Sequence, residues 1–557
     1  MNLIDSRRIT GPSLFTEKSG AMLEVDVSEN KVDQMISDWE LSIQQFLSAL
    51  GWENEITQFR IYDGGASLFM SAPIDALYAA CEVNESAFNF SRPENKLLFD
   101  DQVSQLGELI NEELDPMILG LRDAAINHGI KFLQSDEIIS VGSGTGVKSF
   151  NVDAIPHPNQ INWDSVHDIP SVLVTGTNGK STTVRLMEAI LSEAEIKAGA
   201  SSTDGIRVNR ETIEKGDYSG PEGARSTMRN KAVETAVLEV ARGGILRRGL
   251  PVYDVDAALI TNIAEDHFGD YGVNSIAEMA QTKFIVSKGL AKNGTLVLNG
   301  DDDAIIAFSK TISKNICWFS LTSENPQIQN HINSGGQAAF LDGEEIFYSE
   351  NGTSTPIMNV KDIPITMNGT ARYNIANCLG TICLAKALNI NNDAILSGLK
   401  KFTNSFENNP GRGNYFEKKG VSILMDFAHN PHGVSALIDV AKRFKAKRKL
   451  ILMSQAGDRS NLDIQNFVNE AMTLNPDRVH IAEMSETYLR GRELGEVPDV
   501  FKNAFLSHGL EDKSIKLFPD NLTGVKAALD WAKDGDFLLL LVLDTMVECN
   551  QLIQQFD

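Results

Sequence analysis

The sequence predicts an α/β chain of three units, and three observations predict it. Short apolar runs alternate with helix-like stretches over residues 166–408 and again over 409–557, the pattern of mostly parallel sheets covered by helices. A glycine-bearing turn at Thr175–Ser181 joins an apolar run to an amphipathic stretch, which marks the middle unit as a P-loop α/β domain. Residues 1–165 lack that rhythm and read as a separate α+β N-terminal domain. The last unit reads as a smaller, doubly wound, Rossmann-like α/β domain.

In chain order, Ala21–Val27 alternates like a strand. Val32, Met35, Ile36, Trp39, Ile43, Phe46, Leu47 and Leu50 recur at spacings of three and four, one face of a long amphipathic helix. Val103–Leu133 is helical in pattern, with a break at Asp115-Pro116. The run Gly142-Ser143-Gly144-Thr145-Gly146 leads to Pro156 and Pro158 rather than to a helix, so it reads as a loop. Asp153–Pro170, with three prolines, reads as a linker. Strand-like runs follow at 236–240, 257–263, 295–298 and 316–319, and a helix at 374–387. In the last unit, strands are expected at 422–427, 450–454, 479–482 and 538–543. No internal repeat or low-complexity tract interrupts the chain.

Composition narrows the classes. An apolar share of 42% over 557 residues supports several cores. A formal net charge of −25 repels nucleic acid and anionic membranes, so neither is an expected partner. Five scattered cysteines show no metal spacing and no disulfide framework. Met1–Thr10 is charged and without a long apolar stretch, which predicts no signal peptide. The longest apolar run, Phe537–Leu543, is too short to span a bilayer. A cytoplasmic location fits these features.

The chemistry starts at Thr175-Gly176-Thr177-Asn178-Gly179-Lys180-Ser181-Thr182. A strand, a glycine turn and a helix start place backbone N–H groups toward an anion; Lys180 neutralises charge and Ser181 reaches a cation. The general P-loop pattern is incomplete, because Val174 stands where a glycine is expected. Glu239 lies among apolar neighbours in a strand, a costly place for an acid unless it is ion-paired or bound to metal. The next strand runs out at Thr261-Asn262-Ile263-Ala264-Glu265-Asp266-His267. Both strand ends and the loop are expected at one sheet edge, where open α/β sheets bind ligands. There His267 reads as a metal ligand, or otherwise as a structural histidine. Arg225, Arg242, Arg247 and Arg248 offer guanidinium forks for a carboxylate substrate, or are solvated surface.

The Thr175–Thr183 string resembles the ATP loop of the Mur ligase superfamily, whose members join a carboxylate to an amine at the expense of ATP. Ala241–Leu250, Thr203-Asp204-Gly205, Gly220-Pro221, Pro410-Gly411-Arg412, Asp426–His432 and Leu489–Arg492 resemble the Mur-ligase-like half of the cyanophycin synthetase family. The likeness runs from about Asp168 to the C-terminus. That family carries an ATP-grasp unit before its Mur-like half; here the phosphate loop follows the N-terminal unit almost at once. The resemblance implies a three-domain Mur-ligase-like fold and one ATP site with Mg²⁺. It implies that Thr175–Thr182 and Arg412 bind the phosphates, that Asn374 reads adenine and that Asp426 holds the ribose. Ser181 and Glu239 would hold one Mg²⁺. His267 and Lys283, the latter carbamylated, would serve a second. His429 and Asn430 would meet the incoming amine. Tyr373-Asn374 departs from the usual His-Asn of the family.

The implied reaction is ATP-dependent, ADP-forming amide ligation through an acyl phosphate. Its substrates would be a small-molecule or peptide carboxylate and an amino acid or other amine. Two alternatives stand beside it: a stand-alone ligase fed by a separate ATP-grasp ligase, and a nucleotide-binding scaffold without turnover. A homo-oligomer is compatible with each. A GTPase is not, since no Asn-Lys-x-Asp motif occurs in a suitable context.

Overall fold

The computed structural model describes residues 2–92 and 98–556. The N-terminal residues form an antiparallel sheet in the order Asn2–Ile9, Gly20–Asp26, Gly65–Ser71, Thr57–Tyr62. Helices Glu29–Ala49 and Leu77–Phe90 cover one face of it. The apolar stripe from Val32 to Leu47 is buried there, as a three-and-four spacing requires. Trp39 donates its indole N–H to Asn84 at 3.0 Å, so the one polar atom of this large core side chain is satisfied.

The expected break at Asp115-Pro116 is present: helix Phe99–Glu113 ends, and Pro116–Asn127 starts with Asp115 accepting from the Met117 N–H at 2.9 Å. The expectation of helix up to Leu133 fails. The chain turns through Gly129 at φ +68° and Phe132–Gln134 pairs as a strand, because two apolar residues beside a glycine serve a buried strand as well as a helix. The Gly142–Gly146 run is a buried loop. A Cβ on Gly144 would lie 2.3 Å from the Val233 carbonyl, so this glycine permits close packing against the central unit.

The central sheet has eleven strands. Its middle strands run parallel from Ala198–Ser202 through Thr235–Glu239, Ser171–Thr175, Val255–Ile260, Leu290–Asn299 and Asn315–Ser320 to Gln337–Asp342. Both edges end in antiparallel strands, which apolar patterning did not reveal. Separate apolar clusters fill its two faces, and helix Arg372–Ala387 is buried along most of its length. The strand expected to reach Ile263 stops at Ile260. Beyond it, Thr261 and Asn262 give their side chains to the Asn178 carbonyl, and the Ile263 N–H goes to Asp302 at 2.6 Å.

The last sheet has six strands in the order Asn414–Lys418, Val421–Asp426, Phe537–Leu541, Lys449–Met453, Arg478–Ala482, Ile515–Phe518. All pairs are parallel except the Asn414–Lys418 hairpin. No helix among the described residues is long and apolar enough to cross a membrane. Helix Asn392–Lys401 lies against the helix that starts at Lys180, with Gly398 at the crossing; a Cβ there would meet the Ile190 Cα at 2.7 Å. Gly398→Val should therefore push the two helices apart, cost about 1–3 kcal/mol of stability and lower the thermal midpoint in calorimetry.

Candidate active site

The phosphate loop is held by its own packing and hydrogen bonds. Strand Ser171–Thr175 ends with the Thr175 hydroxyl on the Val240 carbonyl at 2.8 Å. Gly176 and Gly179 have φ of +145° and +86°, and a Cβ at either would clash, with Thr261 Oγ1 at 1.8 Å and Asn377 Oδ1 at 2.2 Å. Glycine is demanded there by both conformation and room. The Thr177 and Asn178 N–H groups are held by the backbone and side-chain oxygens of Asn262 at 2.9 and 3.0 Å. Helix Lys180–Glu193 then begins, and Lys180 folds back onto the Thr177 carbonyl at 2.9 Å.

Glu239, at the end of the neighbouring strand, points at this helix start. Its Oε2 accepts from Ser181 Oγ at 2.9 Å, and Ser181 also meets Thr203 Oγ1 at 3.2 Å. Glu239 is 1% exposed, and its Oε1 has no hydrogen-bond partner. Burial pushes its carboxyl above the usual range, opposed by the Lys180 ammonium and the Ser181 hydrogen bond. A hydroxyl and a carboxylate with one oxygen left over form an oxygen donor pair suited to a hard divalent cation.

A second cluster faces the first. Asp266, His267 and His429 bring ligand atoms within 4.8 Å of one another, with His267 Nε2 and His429 Nε2 lying 3.8 and 3.9 Å from Asp266 Oδ1. Arg459 bridges Asp266 at 3.0 Å and His267 Nε2 at 2.9 Å. Burial pushes the Asp266 carboxyl up, but the two histidines, Arg459 and Lys180 outweigh it and hold it well below the usual carboxylate range. Burial lowers His267, and pushes His429 down to about 4, which favours the neutral imidazole that metal ligation requires. Lys283 is buried and pushed well below its ordinary value, first by burial and then by Lys180.

The last domain closes over the loop. Asn178 and Asn430 exchange amide hydrogen bonds at 3.1 and 3.3 Å, and Asn178 also meets His432 Nδ1 at 2.9 Å. Asn409 reaches Thr182 Oγ1 at 3.3 Å. Arg412 stacks on Phe427 at 4.8 Å and lies 3.8 Å from Asp204, which also binds Arg185. Asp426 is buried, and that burial raises its carboxyl to about 6 against Arg412 and three backbone N–H groups.

The structure thus brings together the loop, Glu239, His267, Lys283, Arg412, Asp426, His429 and Asn430. Arg242 joins them indirectly, donating to the His267 carbonyl and to Asp270, both at 2.7 Å. Four expected site residues are not part of this cluster. Arg225 is buried with its donors on Pro251 O and Thr10 Oγ1, so no fork remains for a substrate. Arg247 is exposed and turns only its Nε to Gly243 O of its own helix, and Arg248 donates to the Arg8 carbonyl. Asn374 has its amide engaged by the Ile365 carbonyl and by Asn377, and is 1% exposed. Thr203, Asp266 and Arg459 were missed. The signal for Arg459 is its place in the turn Gly457-Asp458-Arg459 beyond strand Lys449–Met453, at the carboxyl edge of the sheet.

Residues 174–385 match the Mur ligase middle domain and residues 411–541 the Mur ligase glutamate ligase domain. Cyanophycin synthetase of Synechocystis sp. is 35% identical over 373 residues, covering 67% of this chain and 42% of that protein. A second cyanophycin synthetase, from Geminocystis herdmanii, is 35% identical over 61% of this chain and 38% of its own length. The chain therefore spans about two fifths of the length of these relatives. FolC of E. coli in complex with ADP superposes with a TM-score of 0.51 at 18% identity, over 69% of this chain and 89% of that one. On these matches the chain from the phosphate loop onward belongs to the Mur ligase superfamily.

Proposed function

We propose that this protein is an ATP-dependent carboxylate–amine ligase that forms an amide bond, with ADP and phosphate as the other products. The observation that carries the reading is Glu239: a buried carboxylate, hydrogen-bonded to the hydroxyl that closes the phosphate loop, with its second oxygen unpartnered. In this reading residues 166–408 form the ATP-binding domain, residues 409–557 the closing domain, and residues 1–165 an accessory unit. Cyanophycin synthetase and folylpolyglutamate synthase, the latter solved with Mn, AMPPNP and L-glutamate, make such a reaction the natural one for these residues.

Each residue has a task. Backbone N–H groups at the start of helix Lys180–Glu193 and the Lys180 ammonium would face the phosphates. Ser181 and Glu239 would hold one Mg²⁺, and His267 with a carbamylated Lys283 a second; the ions would spread the charge of the transferring phosphoryl group. Lys283 suits carbamylation because only a neutral amine attacks CO₂, losing one proton as the N–C bond forms, and its burial favours the neutral amine. The substrate carboxylate attacks the γ-phosphorus, ADP leaves, and the amine displaces phosphate from the acyl phosphate. Asn178, Asn430 and His432 close the cleft and keep water from the intermediate. Arg412, from the closing domain, would add its charge to the phosphates, and Asp426 would accept from the ribose hydroxyls.

Lys180→Ala should reduce carboxylate- and amine-dependent ADP release by at least about a hundredfold, measured by a coupled ADP assay against pooled amino acids and acidic peptides. Normal turnover in that variant would remove the mechanism. Asp426 supplies a pH test. Because its carboxyl titrates near 6, it is an ionised acceptor at pH 7.5 and mostly protonated at pH 5. Asp426→Asn should weaken binding of a non-hydrolysable ATP analogue about tenfold at pH 7.5, and the gap between variant and wild type should close by pH 5 in titration calorimetry.

A further inference from the structure

His267 sits in a loop that its own sequence does not favour. His267 and Tyr271 have φ of +52° and +53°, left-handed values that cost a non-glycine residue free energy unless neighbours enforce them. The neighbours come from two directions. From the central domain, Arg242 grips the His267 carbonyl and the Asp270 carboxylate. From the N-terminal sheet, Arg60 donates Nη1 to the Gly272 carbonyl at 3.1 Å and Nη2 to the Tyr271 carbonyl. The Tyr62 ring fills the space beside Gly272, where a Cβ would lie 2.2 Å from it. The Arg7 guanidinium lies over the Tyr271 ring at 4.8 Å. Arg7 is itself pinned by Glu24 at 2.5 Å and by the Leu246 carbonyl, and Glu24 also takes the Tyr62 and Ser67 hydroxyls. A buried polar network of this kind holds one geometry, with Arg60 Nε the buried atom in it that has no hydrogen-bond partner.

We propose that the N-terminal sheet positions the His267 loop, with Arg60 the positioning residue that ties the metal-facing histidine of the central domain to a strand over 200 positions upstream. This rests on the reading of His267 as a metal ligand. The guanidinium fork suits the task because two adjacent carbonyls, Tyr271 and Gly272, accept from the two terminal nitrogens of one planar group. Lysine offers a single point of attachment and would hold only one of them well. The N-terminal unit is then part of the machinery without touching a substrate: it holds the left-handed loop whose start carries Asp266 and His267.

The full chain should be compared with Arg60→Met and with Gly272→Ala, which pries the same contact open from the other side. Hydrogen–deuterium exchange of residues 268–273 should accelerate at least tenfold in both variants. Mn²⁺ titration by electron paramagnetic resonance, with a non-hydrolysable ATP analogue present and His267→Ala marking the relevant ion, should show that site weakened about tenfold. Analogue affinity should stay within twofold of wild type, and Arg60→Lys should recover part of the loss. Unchanged exchange in both variants would overturn the proposal. So would faster exchange with unchanged Mn²⁺ affinity. If wild type bound no His267-dependent Mn²⁺ yet the loop loosened, the metal reading would fall while the role of Arg60 in fixing the loop would stand.

Discussion

A carboxylate buried at the end of a parallel strand is the constraint around which the central domain is arranged. Glu239 loses water on every side, and the cost of a buried charge is several kcal/mol unless partners replace that water. Ser181 supplies one hydrogen bond and Lys180 a nearby positive charge. The remaining oxygen has nothing. A group left half-satisfied in a closely packed interior is a feature of function rather than of stability. Beside it the loop passes Thr261 and Asn377 on glycines, and a helix buried on all sides carries both the Lys180 ammonium and the Ser181 hydroxyl in its first turn.

The cleft depends on contacts made between domains as well as within them. Asn178 belongs to the phosphate loop, yet its amide is shared with Asn430 and His432 of the last domain. Arg459 crosses the same gap to Asp266 and His267. Both sets of residues lie at the carboxyl edges of their sheets, so two doubly wound units facing edge to edge assemble one site from loops that are far apart in the chain. Around the loop such a cleft is held by a handful of hydrogen bonds and ion pairs, while Met367, Ala371 and Tyr373 pack against the apolar core of the last domain.

Much of this was legible in the sequence, for reasons that differ from residue to residue. Most of the parallel core strands were found because strands buried on both faces read as continuous apolar runs; Ala198–Ser202, Gln337–Asp342 and Ile515–Phe518, also parallel, were not. The antiparallel edges were not, because strands such as Glu211–Glu214 are exposed along their whole length and carry no apolar signal. The phosphate loop was readable because its backbone requirements restrict residue type at each position. The Arg225 fork was misassigned because sequence shows a charge but not whether packing has already spent it. The grip of Arg60 on the His267 loop was invisible for a related reason. It consists of a side chain on one sheet meeting main-chain carbonyls on another domain, and carbonyls leave no mark in sequence.

The claim at the centre is that a divalent ion bound with ATP completes the coordination that Glu239 lacks. Crystals soaked with Mn²⁺ and a non-hydrolysable ATP analogue, measured at the manganese absorption edge, test it directly. The account predicts an anomalous peak in contact with Glu239 Oε1 and Ser181 Oγ, beside the analogue's terminal phosphates on the phosphate loop. Nucleotide bound at that loop with no metal at Glu239, or nucleotide bound elsewhere, would contradict it.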